Sequence, residues 1–581
     1  MPPDTTPRPP DEPWWTSAVG YQIYPRSFRD TNGDGVGDLG GSLRELDHLE
    51  ALGVDVVWLS PVYRSPMQDG GYDVADYHDV DPLFGSLADL DALIAQLHAR
   101  GIKLIIDVVL NHTSDQHPWF RAALRGRDDP QRDWYWWRPP RPAKAAGEPG
   151  AEPTNWRSYF GGPAWTLDPA SGMYYLHLFD RSQPDLNWEN PAVRQALYAM
   201  LRWWLARGVD GFRMDVINLV SKALPLRDAD QIGPDGLGDG TPFFESGPRI
   251  HDFMQELHRE VLGSAGKVLL TVGEMLGVTP ERARDFSDPA RRELDMVFQF
   301  EHVTLDQAPG DKFDLRALPL STLKRSLGRW QEALATRGWN SLYWSNHDQP
   351  RPVSRFGDDR PEWRERSAKA LATTLHLHRG TPFVYQGEEL GLRNHPFAAI
   401  DEFRDVESLN FVRAARARGM DDAEILRRLR SKSRDNARTP MPWGPGPNAG
   451  FGAGRPWLPV HADASLAHAA ALRADPESVF HHYRRLIALR HELPVVAHGD
   501  FTMLAAEHER LYAFRRRLGD DTLLVLANWS DTELPLAGSG AEPPAAAELL
   551  LDNLRSADGP SERGVLRGWE ARVYRTGGTA P

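Results

Sequence analysis

Two hydrophobic periods alternate through the first two-thirds of the chain. Short apolar runs predict strands at Val19–Tyr24, Val56–Leu59, Lys103–Val108, Gly211–Met214, Val268–Val272, Met296–Phe298, Ser341–Tyr343 and Pro382–Tyr385. Between many of them, apolar residues recur at helical spacing, as in Leu43–Leu52, Leu87–Arg100, Ala192–Arg207, Ile250–Leu262, Ser321–Thr336 and Trp363–His378. Strand-then-helix units repeated in this way predict an α/β fold, a parallel (β/α)8 TIM barrel. The rhythm breaks after the third strand. Residues 111–190 are rich in Pro, Arg, Trp and Gly and read as an inserted lid domain. Residues 391–475 read as an irregular, charged subdomain, and from 499 onward short strands such as Thr522–Ala527 separated by turn residues predict a C-terminal antiparallel β-sandwich. The predicted barrel therefore spans 14–110 and 191–498. The Pro- and Ala-rich patch Arg138–Pro153 reads as a loop within the lid.

Composition narrows the function. The chain has 581 residues, too many for one core. A net charge of -14 opposes binding to nucleic acid or to an anionic membrane and suits a neutral small-molecule partner. With no cysteine, disulfides, thiolate catalysis and cysteine metal sites are excluded. The start, MPPDTTPRPPDEPWW, lacks the basic-then-apolar pattern of a signal peptide, and no run reaches the roughly 20 apolar residues that span a bilayer. The expectation is a cytoplasmic enzyme, a monomer or small homo-oligomer.

A barrel of this kind carries its site at the C-terminal ends of the strands. There the third strand brings Asp107 and then Asn111–His112, the fourth Arg213 and Asp215, the fifth Glu274, and the seventh His347 and Asp348. One aspartate ending a strand is usually a cap or a turn residue. Carboxylates converging from three strands are a different pattern. Retaining glycoside hydrolysis needs one carboxylate as nucleophile and one protonated carboxyl as acid. Arg213 beside Asp215 should keep it ionised, whereas Glu274 follows an apolar run that favours its protonated form. Asp348 can hold ring hydroxyls and favour a cationic transition state.

The segments DVVLNHTS, GFRMDVIN, TVGEM and NHDQPR resemble the four signature segments of the α-amylase family. AVGYQIYPRSF, DGGYDVADY, GEMLGVTPE, FQFEH, GWNSLYWSNHDQPRPVSRFG, GTPFVYQGEELG and RDNARTPMPW resemble its oligo-1,6-glucosidase and dextran glucosidase members, from about Trp14 to about Leu511. The resemblance implies Asp215 as nucleophile, Glu274 as acid/base and Asp348 as transition-state stabiliser. His112, Arg213 and His347 would line the glucose site. Asp73 and Tyr77 would belong to the pocket, which Arg434 would close by pairing with Asp73, making the enzyme exo-acting. Phe179, Phe300 and Tyr63 would stack on sugar. Valine at 216, following the nucleophile, accompanies α-1,6 cleavage in the family, whereas threonine or alanine accompanies α-1,4. The function implied is an exo-acting retaining α-glucosidase that releases glucose from short oligosaccharides such as isomaltose and panose.

Asp30, Asn32, Asp34, Val36 and Asp38 place oxygen donors at alternate positions around Gly35, as in a calcium loop, although Gly41 stands where a full loop ends in Glu. A structural Ca2+ or Mg2+ is expected here, with no cofactor for the chemistry. Two other functions compete. A glucosyltransferase or sugar isomerase uses the same carboxylates, but sucrose-isomerising relatives carry an arginine-rich loop where this chain has VTLDQAPGDKFDL. A non-catalytic sugar-binding relative would lack the carboxylates that this chain keeps.

Overall fold

The computed structural model describes residues 13–577 except 234, 309 and 561. The N-terminal stretch read above for a targeting signal lies mostly outside them. The eight predicted strands all form: Gly20–Ile23, Val56–Leu59, Lys103–Val109, Gly211–Asp215, Leu270–Met275, Met296–Gln299, Ser341–Leu342 and Thr381–Tyr385. Numbered in that order, they lie side by side as 6-5-4-3-2-1-8-7, every pair parallel. A single parallel bridge between Val297 and Asn340 joins strands six and seven and brings the barrel close to closure. The strands are apolar on both sides because helices cover the outside and side chains fill the inside.

Sequence and structure differ in places. Val268 is solvent-exposed, and strand five starts later and runs as far as Glu274 and Met275. The predicted helix Leu43–Leu52 is two helices, Leu39–Arg44 and Leu46–Leu52, divided at Glu45. The region read as irregular, 391–475, contains the helices Val406–Ala417 and Asp422–Lys432. These bury Phe411, Val412, Ala415, Ile425 and Leu429 in a small core with Phe397 and Phe403. A stripe this narrow amid dense arginines gives little periodic signal.

The excursion between strands three and four holds the helix Pro118–Ala123 and a three-stranded antiparallel sheet, Trp137–Arg138, Met173–Leu176 and Trp165–Asp168 in that lateral order. Its aromatic core, including Trp136, Trp156, Trp165 and Phe179, closes over Val216 and Leu219, just beyond the end of strand four. The wall of the barrel mouth is thus built from the insert. At the C-terminus, a five-stranded antiparallel sheet alternates its faces. Tyr512, Phe514, Leu523 and Val525 join the barrel core. Leu511, Ala513, Leu524 and Leu526 pack under the two short strands Leu534–Pro535 and Val565–Leu566. Among the described residues, no helix is long and apolar enough to cross a membrane.

Candidate active site

Strand geometry fixes the centre of the site. In a strand, residues two apart face the same side, so Arg213 and Asp215 both point into the barrel. Register then sets their neighbours: Asp107 lies beside Arg213 on strand three, and Val272 lies beside it on strand five, two residues before Glu274. The result is one guanidinium shared by three buried carboxylates. Arg213 Nη1 lies 2.7 Å from Asp107 Oδ1 and 2.7 Å from Asp215 Oδ1, and Nη2 lies 2.5 Å from Glu274 Oε1. Asp107 accepts further hydrogen bonds from Trp58 Nε1 (3.0 Å) and the Tyr72 hydroxyl (2.9 Å).

One cation cannot neutralise three anions. Burial first, and then the neighbouring Glu274 carboxylate, push the Asp215 carboxyl well above the usual carboxylate range, against the pull of Arg213. Burial likewise raises Asp107 to about 6. The sequence expectation that Arg213 keeps Asp215 ionised therefore fails, because Asp215 has only a share of that guanidinium. Asp215 and Glu274 are in hydrogen-bond contact and behave as a pair that retains a proton. Such contact leaves no room for the water that sits between the carboxyls, about 6.5–9.5 Å apart, of an inverting enzyme.

Opposite this trio stands Asp348. Arg438 Nη2 approaches its Oδ1 to 2.5 Å, Arg434 Nη1 to 3.4 Å, and His347 Nε2 lies 3.4 Å from its Oδ2. Burial pushes this carboxyl up, but His347, Arg434 and Arg438 outweigh it and hold Asp348 well below the usual range. The site thus separates a carboxyl pair that keeps a proton from a carboxylate that stays ionised. The His347 ring is stacked between Tyr72 (5.1 Å) and Tyr24 (5.8 Å), and burial lowers its pKa to about 3, so it is neutral at physiological pH. Gln22 Nε2 contacts its Nδ1 at 2.8 Å and orients it. Burial also lowers His112, to about 4.

The remaining sequence-expected residues divide into two groups. His112 and Phe179 meet, with ring centroids 5.2 Å apart, and Phe179 stacks on Tyr159. Val216 has φ 35° and ψ 41°, a left-handed conformation that a β-branched residue rarely adopts, and its N–H donates to Glu274 Oε2 at 3.2 Å. Arg434 lies beside Asp348, but its expected pairing with Asp73 is corrected. Its Nη2 pairs with Asp69 Oδ1 at 2.8 Å, not with Asp73. The Asp73 carboxylate is occupied by Ser65 Oγ and the N–H groups of Gln68 and Asp69, so it shapes the turn that presents Asp69. Tyr77 is likewise turned away, donating to the carbonyls of Val109 and His112, and Tyr63 donates to the carbonyl of Asp107. Both are wall supports with buried rings. Phe300 is half-buried against the barrel core.

Four pocket residues were missed. Asp69 and Tyr72 lie in the same DGGYDVADY segment as Asp73 and Tyr77, which holds three Asp and two Tyr. Arg438 is the second arginine of RDNARTP. Gln183, from the insert, donates from Nε2 to Asp69 Oδ2 at 3.0 Å and contacts His112 Nε2 at 3.3 Å. Within each motif the sequence offers more than one chemically equal candidate, and only the turn geometry separates them.

In the 30–38 loop the oxygens serve the loop's own amides. Asp30 accepts from the N–H groups of Gly33 and Gly35, Asn32 Oδ1 from Asp34, and Asp34 from Val36. Asp38 caps the helix Leu39–Arg44 through the Gly41 N–H. Among the described residues, no three His, Cys, Asp or Glu side chains converge in a cluster able to hold a metal ion. The donor set itself, all oxygen at alternate positions, suits a hard divalent cation.

Carboxyls brought together at the C-terminal ends of the strands of a (β/α)8 barrel suit glycoside hydrolysis. The chain belongs to the α-amylase family: the model of the α-amylase catalytic domain matches residues 22–499. It is 48% identical to an oligo-1,6-glucosidase of Parageobacillus thermoglucosidasius, over 97% of this chain and 99% of that one. It is 45% identical to a trehalose-6-phosphate hydrolase of Bacillus subtilis, over 97% of this chain and 98% of that one. Among solved structures it resembles the isomaltulose synthase of Klebsiella sp. LX3, with a TM-score of 0.91 and 39% identity, covering 97% of this chain and 100% of that one.

The electrostatics predict a displaced acid limb. Asp69 is raised to about 6, chiefly by burial, and Asp215 is raised as well. Asp69 loses its charge as pH falls through about 6, so kcat/KM should decline on the acid side near there, not near the about 4 of an ordinary carboxylate. A pH profile flat down to about pH 5 would contradict this reading of the pocket.

Proposed function

We propose that this α-amylase-family hydrolase is an exo-acting, retaining α-glucosidase that removes glucose from the non-reducing end of short oligosaccharides, with a preference for α-1,6 linkages. The observation that carries the reading is the contact pair Asp215–Glu274 on Arg213, facing a pocket whose far wall is tied shut by Arg434 and Asp69. Asp215 attacks the anomeric carbon while the pair's proton passes to the leaving oxygen from Glu274. The glucosyl-enzyme is then hydrolysed by water that Glu274 deprotonates. Asp348, held ionised by two arginines, binds ring hydroxyls and favours the positive charge that develops on the ring. Arg434–Asp69 blocks the passage of a longer chain, so cleavage is confined to the terminal unit. Two inverting steps retain configuration, and the glucose first released is the α anomer.

A transfer reaction would use the same intermediate, and solved structures of similar fold are named trehalulose synthase and isomaltulose synthase. The absence of an arginine-rich segment after FQFEH favours water as the acceptor. The same reading has the enzyme act in the cytoplasm on a small-molecule substrate, as a monomer or small homo-oligomer, with the 30–38 loop holding one structural Ca2+ or Mg2+ on Asp30, Asn32, Asp34, Asp38 and the Val36 carbonyl.

Linkage preference rests on Val216. Its position after Asp215, its contact with Glu274 and its packing against the aromatic insert bring it next to the departing sugar. An α-1,6 leaving group departs through a flexible CH2 and tolerates an apolar wall. An α-1,4 leaving group brings a ring hydroxyl closer, and an unpaired hydroxyl has a cost. Isomaltose should therefore show a higher kcat/KM than maltose, and Val216→Thr should move that ratio toward maltose by about tenfold to a hundredfold. A wild type that prefers maltose, or a ratio unmoved in the variant, would refute the linkage reading while leaving the hydrolase intact.

Metal removal gives a separate test. A cation bound only by the folded chain stabilises it by mass action, so exhaustive chelation should lower Tm while initial rates at moderate temperature hold. An unchanged melting curve in a protein that contains no metal by elemental analysis would dismiss the cation.

A further inference from the structure

We infer that Lys222 is a positioning residue: it locks the inserted segment 176–186 in one register on the barrel mouth, and through that segment it sets the groups that surround the glucosyl pocket. Lys222 follows the short turn Ile217–Leu219 at the end of strand four and is wholly buried. All three ammonium protons have acceptors. Nζ lies 2.7 Å from Asp185 Oδ2, 3.0 Å from Asn111 Oδ1 and 2.7 Å from the Leu219 carbonyl. Asp185 closes the ring, accepting from Asn111 Nδ2 at 3.1 Å and from the Leu178 N–H at 3.0 Å.

Asn111, Asp185 and Leu178 of this network each lie one or two residues from a pocket residue. Asn111 precedes His112. Leu178 precedes Phe179. Asp185 is two residues from Gln183, which grips Asp69 and His112. The chain entering the insert and the chain leaving it also pair antiparallel here: His112 bridges Asp185, Leu186 N–H donates to the Asn111 carbonyl, and Thr113 N–H to that of Pro184. A one-residue slip of such pairing turns its side chains to the other face, and here it would also break the buried ion pair. A slip would bring Pro184 or Leu186 opposite Lys222 and leave an ammonium and a carboxylate unpaired away from water, which is strongly unfavourable. An apolar contact would fill the same volume without reading the register. Lys222 touches none of Asp215, Glu274 or Asp348, so its influence runs through alignment of the pocket.

The test pairs Lys222→Met with the double variant Lys222→Met/Asp185→Asn, which removes both charges. Three quantities are read: Tm, KM and kcat on an activated aryl α-glucoside, and amide exchange across 176–186. The single variant should melt lower. The double variant should recover most of that loss, since no lone charge remains buried, yet keep KM raised by about tenfold with kcat within about threefold of wild type. Its exchange should quicken in 176–186 and not in the barrel strands. If KM and exchange return to wild-type values together with Tm, the pair serves stability alone and the inference falls. It falls equally if neither variant folds, since the pair is then a condition of folding. The kinetic readout rests on the function proposed above, but amide exchange does not, so a protein inactive on glucosides would sink that proposal and leave the register test in force.

Discussion

Everything at the mouth of this barrel is arranged around a charge imbalance: three buried carboxylates, Asp107, Asp215 and Glu274, share the single guanidinium of Arg213. Removing that much uncompensated charge from water is costly, and the group can lower the cost only by retaining a proton. The proton is also what the chemistry needs, because one carboxyl of the pair must act as an acid while the other attacks. Asp107 contributes by its charge, not by contact with sugar. Lying beside Arg213 in the register of strands three and four, and held by Trp58 and Tyr72, it draws part of the guanidinium away from the pair. On the other side of the pocket Asp348 lies against two guanidiniums, Arg434 and Arg438, which also serve Asp69 and Asp405. Asp348 stays ionised because two cations touch it directly, whereas Asp215 has only a share of one.

The barrel was legible in the sequence because its strands are short apolar runs bounded by turns, and the strand-end carboxylates were legible because a parallel barrel exposes only one end of each strand to chemistry. Arg213 and Asp215 could be placed on one face by their spacing alone. The pocket wall was less legible. DGGYDVADY holds three Asp and two Tyr, and nothing in their order says that Asp73 folds back onto the amides of Gln68 and Asp69 while Asp69 faces Arg434. The protonation of the pair was also misread. A local view of Arg213 beside Asp215 omits the other two carboxylates, which arrive from strands more than 50 residues away in the chain. The helices of the 391–475 region were hidden by narrow apolar stripes.

The insert between strands three and four is as much a part of the pocket as the barrel. It supplies Phe179 and Gln183, and its aromatic core packs on Val216, whose left-handed backbone aims an N–H at Glu274. Backbone strain at a β-branched residue persists only where the surroundings impose it, and here they are the insert on one side and strand five on the other. The positions of Val216 and of its contact with Glu274 thus depend on the insert as well as on the barrel.

The central claim is that the Asp215–Glu274 pair works by covalent double displacement, with Asp215 as the attacking group. A 5-fluoro-α-glucosyl fluoride forms the glycosyl-enzyme faster than it is hydrolysed and so accumulates it. Proteolysis and mass spectrometry of the inactivated protein should locate one fluoroglucosyl group on the peptide containing GFRMDVIN, at Asp215. A label on Glu274, or complete turnover of the reagent with no adduct and release of the β anomer, would contradict the account.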